Sequence, residues 1–153
     1  MKMRATHAAF LLALAAHPLG AQEADHEGED HAGEEEAAPL TFDNAPVRED
    51  IALTCSFVTE CYEGEGCAET AFDLSIEGRA GGLVPTDLMV EAQIVADAGT
   101  AEMLGLRASG AYSLSGGEFA ARHMMTIAPD GAARYTVHYA DGPMMISYLG
   151  TCR

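Results

Sequence analysis

Three of the four cysteines fall within thirteen residues, Cys55-Ser-Phe-Val-Thr-Glu-Cys61-Tyr-Glu-Gly-Glu-Gly-Cys67, and the fourth, Cys152, is the penultimate residue. In Ile51-Ala-Leu-Thr-Cys-Ser-Phe-Val58 the two-residue period of a strand puts Ile51, Leu53, Cys55 and Phe57 on one side. In the last segment Met144, Ile146, Tyr148, Gly150 and Cys152 share a side. Cys55 and Cys152 therefore ride with the bulky apolar residues of the first and last strands, placed to join across a sheet that curls until its ends meet. Four cysteines allow three connectivities, and spacing alone does not choose among them. Strand phase favours Cys55–Cys152, which leaves Cys61–Cys67 to close a small Gly-rich loop. The Cys-x5-Cys-x5-Cys spacing lacks the short intervals of zinc knuckles, so disulfides are the expected chemistry.

Period two continues along the chain. Phe72, Leu74 and Ile76 alternate inward, as do Leu88, Val90, Ala92 and Ile94, then Phe119, Ala121, His123, Met125 and Ile127, then Ala133, Tyr135, Val137 and Tyr139. Turn-forming residues punctuate these runs at Gly78 to Pro85, Asp97-Ala-Gly99, Ser115-Gly-Gly117, Pro129-Asp-Gly131 and Asp141-Gly-Pro143. The pattern predicts an all-β domain over residues 51–153. Its seven or eight short antiparallel strands form a meander closed as a barrel or sandwich and stapled by disulfides. Residues 86–98, rich in Leu, Met, Glu, Ala and Gln, also fit a helix.

Ahead of this domain the composition changes twice. Residues 1–21 join Lys2 and Arg4 to the apolar run Ala8–Ala16 and end in Pro18-Leu-Gly-Ala21, the three parts of a secretory signal peptide with cleavage near Ala21. The run is too short to span a bilayer, and no later segment approaches the required length. The expected setting is a bacterial periplasm, with no membrane insertion and a monomeric state. Residues 22–50 carry eleven acids against Arg48 alone, the composition of a disordered acidic tether. Within it, Asp25-His-Glu-Gly-Glu-Asp-His31 sets His26 and His31 among carboxylates, a donor set that suits zinc or copper.

Residues 51–153 contain no lysine and oppose five arginines to thirteen acids, a net charge of −8 (5 − 13). Nucleic acid and anionic lipid are poor partners for such a surface, and a basic protein is a natural one. The chain shows no Gly-x-Ser-x-Gly elbow, no His-Glu-x-x-His and no phosphate-cradling Gly-Lys-Ser/Thr loop. Glu60, Glu63, Glu65 and Glu69 crowd one region, but a chain this short leaves little room for a glycosidase cleft. His123 beside Met124 and Met125, with Met144 and Met145 on a neighbouring run, suits soft-metal binding or, more simply, core packing. His138 falls on the outward phase with Arg134 and Thr136. Binding of a small molecule or a protein, without catalysis and without a required cofactor, is the expected mode of action.

Two resemblances bear on this reading. Cys61-Tyr-Glu-Gly-Glu-Gly-Cys-Ala-Glu-Thr70 and Ile146-Ser-Tyr-Leu-Gly-Thr-Cys152 resemble small exported bacterial proteins of unassigned function, which implies a stand-alone periplasmic β-domain. Ala108-Ser-Gly-Ala-Tyr-Ser-Leu-Ser-Gly-Gly-Glu-Phe119 is similar to the signature of the bacterial inhibitors of C-type lysozyme. That likeness implies an eight-stranded barrel with an early and a late cysteine joined. It also implies a loop in which Ser109, Gly110 and Tyr112 meet the enzyme's cleft.

Overall fold

A computed structural model describes residues 38–142 and 144–153. Eight antiparallel strands follow one another around a closed barrel: β1 (Val47–Tyr62), β2 (Gly66–Val84), β3 (Asp87–Ala96), β4 (Gly99–Ala108), β5 (Ala111–Gly117), β6 (Ala121–Ile127), β7 (Ala132–Tyr139) and β8 (Met144–Cys152). Every sequential pair is a hairpin, and β1 pairs with β8 to close the ring. Closure decides between the two architectures expected of the meander, because a closed sheet has no edge strand left to protect. Residues 86–98 are strand β3 with the ends of the turns that flank it. Its alternating Leu88, Val90, Ala92 and Ile94 are all buried in the lumen, so two-residue apolar alternation prevails over the helix propensity of Leu, Met and Ala.

Each strand presents one phase to the lumen and the other to solvent. Cys55, Phe57, Ile76, Leu114 and Met125 form part of one continuous core, and among the described residues no charged or polar side chain is fully buried. Cys55 lies opposite Cys152 in the β1–β8 register and is bonded to it, joining the ends of the barrel from inside. Cys61 lies opposite Cys67 across the β1–β2 hairpin and is bonded to it on the outer face. There is no free cysteine among the described residues.

Two places depart from the alternation read in the sequence. A bulge between Phe57 and Thr59 leaves Val58 64% exposed and shifts the phase of the rest of β1. Beyond it Glu60 pairs with Tyr148 and Tyr62 with Ile146, so these two polar residues take the lumen side. Phe119, expected inside, sits in the turn before β6 and is 91% exposed, because the inward run begins only at Ala121. Structure also begins within the stretch whose composition reads as tether. Thr41 and Asn44 cross-bond in a turn, Ala45 is buried on Gly81, and the Arg79 guanidinium lies 5.0 Å from the Phe42 ring centroid while pairing with Asp43 and Glu91.

The two disulfides differ in the loop each closes, 97 against 6 residues of separation. By chain entropy the first is worth about 4–5 kcal/mol and the second about 2 kcal/mol. Replacing Cys55 and Cys152 together by alanine is expected to lower the urea unfolding free energy by roughly twice as much as replacing Cys61 and Cys67. Equal losses would contradict closure as the dominant constraint.

Candidate ligand-binding site

The two ends of the barrel are built differently. At the end where β1 begins, the lumen is spanned by the half-buried ion pair of Arg107 and Glu49, with the Arg107 guanidinium 6.0 Å from the Tyr112 ring centroid. The opposite end is open. A cavity of about 310 Å³ there is lined by Phe72, Ile94, Ala96, Ala101, Ala121, His123, Tyr135, Val137, Tyr139 and Tyr148, with the β3–β4 turn at its rim. Alanines at inward positions of β3, β4 and β6 leave the space, and aromatics from β2, β7 and β8 form the floor.

These aromatics stack in a ladder. Tyr135 lies at 5.8 Å and 18° from His123, 5.8 Å and 24° from Tyr148, and 6.1 Å and 17° from Phe72, with Phe57 packed beneath. Offset stacking of this kind adds to area burial and holds each ring at a set angle. The hydroxyl of Tyr135 meets Nδ1 of His123 at 2.5 Å. Desolvation, reinforced by nearby Tyr139, pushes the Tyr135 phenol up to about 12, so it stays protonated and donates to Nδ1. Burial, helped by the neighbouring Arg122 charge, lowers the pKa of His123 and keeps the ring neutral. With Nδ1 accepting, Nε2 carries the hydrogen, on the ring edge beside Gly117 in the wall shared by the cavity and a side opening.

Backbone geometry makes room for that ring. Gly117 has a φ of +81°, and a Cβ there would collide with the His123 ring and the Ala121 carbonyl. The ladder between β4 and β5 runs only from Met103↔Gly116 to Ala108↔Ala111, so the wall parts above it. The resulting side opening is lined by Thr100, Ala101, Glu102, Gly117, Glu118, Ala120, Ala121 and His123, and it shares Thr100, Ala101, Ala121 and His123 with the main cavity.

Tyr148 is the second polar feature. Its phenol is held well above the usual range by burial and by hydrogen bonding to the Glu60 carboxylate. The same carboxylate is the main cause of the raised pKa of Tyr62. Glu60 thus stands among phenols at the margin of the cavity, where the bulge at Val58 has turned it inward.

Of the residues singled out from sequence, His26 and His31 lie outside the described residues. Ser109 and Gly110 are the two central residues of the β4–β5 hairpin turn, with φ of 50° and 86°. Tyr112 is not at that tip; it points into the opposite mouth and packs under Arg107. Met125 is core, whereas Met124 and Met145 fall on the outer phase with Thr136 and His138, away from His123. Among the described residues no three His, Cys, Asp or Glu side chains are grouped to hold a metal ion. The convergence of Phe72, Tyr135, Tyr148 and His123 is absent from the sequence reading, since strand phase gives each residue a side without saying which residues meet across the lumen. Neither a family model, a curated protein nor a solved structure matches the chain.

Neutrality of His123 sets a pH dependence. Its folded pKa lies below the value of about 6.5 for a free side chain. The unfolded chain therefore takes up the proton first as pH falls, and stability declines from about pH 6.5 down to the folded-state pKa. Thermal melts of the wild type and His123→Phe between about pH 7.5 and about pH 5.5 are expected to show a smaller acid-side fall in Tm for the variant. Parallel curves would place the loss elsewhere.

Proposed function

We propose that the folded domain is an exported, periplasmic binding module that holds a small molecule in the open mouth of its barrel and carries out no chemistry on it. The two disulfides belong to an oxidising, extracytoplasmic environment, and the leader-like residues 1–21 support export to the periplasm.

The observation that carries the binding reading is the contrast between the two barrel ends. One is spanned by the protein's own ion pair, and the other is an aromatic-lined cavity of about 310 Å³ with the His123 ring in its wall. Barrel mouths of this size and character are common ligand sites. The lining groups favour holding over reacting: Tyr135 and Tyr148 are kept protonated, and His123 is engaged through Nδ1.

Native mass spectrometry of the protein purified from the periplasm without reductant tests this directly. A retained guest is expected in the wild type and absent from Ala121→Trp and Ala101→Trp, which fill the mouth yet keep the wild-type circular dichroism. A wild type as empty as the filled variants would argue against the reading.

A second reading rests on the barrel and its first-to-last disulfide, the fold that the likeness of residues 108–119 implies. It is inhibition of C-type lysozyme through the Ser109–Gly110 tip. An inhibition assay in which the wild type slows lysozyme turnover and Gly110→Trp does not would favour it. Full lysozyme turnover at micromolar wild type would eliminate it.

A further inference from the structure

The charge around the open mouth narrows the kind of guest it can take, an inference that rests on the small-molecule reading of that mouth. Four turns surround it, and each carries a carboxylate: Glu63 and Glu65 between β1 and β2, Asp97 between β3 and β4, Glu118 between β5 and β6, and Asp141 between β7 and β8. No basic residue occurs in any of them. Glu60 lies deeper, on the lumen phase beside Tyr148 and Tyr62, and Glu102 lines the side opening.

Positive groups nearby are few. The Arg122 guanidinium donates to the Gly117 carbonyl on the outer face, His138 shares that face, and the His123 ring is held neutral. The opposite end also carries acids, Asp43, Glu49, Asp50, Asp87 and Asp130, but there they are interspersed with Arg48, Arg79, Arg107 and Arg153, two of which form ion pairs with Asp43 and Glu49. Negative potential is thus gathered at the end of the barrel that has the cavity.

The cavity floor is aromatic, with Phe72, Tyr135, Tyr139 and Tyr148 all reaching it. Aromatic rings attract cations through their negative faces, and the attraction strengthens as water is excluded. A carboxylate ring above such a floor concentrates cations and repels anions. A hydrated metal ion finds no cluster of three ligating groups among the described residues. A cation whose charge is spread over alkyl groups needs no ligating oxygens and matches both the rings and the volume.

We propose that the open mouth of the barrel selects organic ammonium ions, seating the alkylated nitrogen on the Phe72, Tyr135 and Tyr148 rings next to Glu60. Nε2–H of His123 then meets an oxygen of the same ligand. Choline has this shape: a quaternary nitrogen two carbons from a hydroxyl.

Titration calorimetry on the mature full-length chain tests the assignment with choline, its neutral isostere 3,3-dimethylbutan-1-ol, and benzoate. Choline is expected to bind at least about tenfold more tightly than the alcohol, with benzoate weakest. Glu60→Gln should weaken choline at least about fivefold and leave the alcohol unchanged. Raising the salt from about 20 to about 500 mM should weaken choline alone. Ala121→Trp should abolish binding of all three.

If the alcohol or benzoate binds as tightly as choline and Ala121→Trp still removes it, the mouth is a ligand site and the cation assignment is overturned. If none of the three binds, or if Ala121→Trp changes nothing, both the assignment and the small-molecule reading fall. Because Ala121→Trp changes the lumen, Glu60→Gln at the margin supplies the independent variant. Its circular dichroism establishes folding before its affinity is compared.

Discussion

Closure of β1 onto β8 is the constraint on which the rest of the molecule depends. β1 and β8 each have a sequential neighbour on one side, β2 and β7, and on the other side pair with each other across the whole length of the folded chain. Each such long-range pairing carries the entropy of closing a large loop. Cys55–Cys152 removes much of that cost from folding by tethering the two strands in the unfolded chain, under the chain-entropy account. Once the ring is closed, every strand has two partners and an inward face, and the apolar phase of each strand has only the lumen in which to bury itself.

The way that closure is achieved also shapes one margin of the open mouth. β1 must serve both neighbours, and the bulge at Val58 changes its phase midway. Below the bulge it contributes Ile51, Cys55 and Phe57 to the core. Above it the lumen phase passes to Glu60 and Tyr62, polar groups that do not fill the barrel. The Tyr135–His123 hydrogen bond and the ring ladder then fix the floor at that level. The bulge in β1, together with the inward alanines of β3, β4 and β6 and the aromatics of β2, β7 and β8, sets a polar, aromatic upper barrel on a packed lower one.

Much of this is legible in the residues. Alternation places Leu88, Val90, Ala92 and Ile94 correctly, because a half-buried strand leaves a local signature that needs no partner. The cysteine phases give the right pairing for the same reason. The features that make the mouth are not legible, since they are non-local. Nothing in Phe57-Val-Thr-Glu announces a bulge, which depends on the register demanded by β8. Phe119 reads as inward only when alternation is carried back across a turn. Tyr112 reads as part of an exposed tip, yet its cross-strand place beside Arg107 turns it into the lumen. The meeting of Phe72, Tyr135 and Tyr148 requires the barrel's circumference, which no stretch of sequence contains.

If the upper lumen is a site for a guest and not merely unfilled space, a high-resolution crystal structure of the protein as isolated from its native compartment tests it most directly. Ordered density for a compact guest is predicted against Tyr135 and Tyr148 and within hydrogen-bond distance of His123 Nε2. Solvent alone in a mouth of unchanged shape, or side chains collapsed to fill it, would contradict the claim.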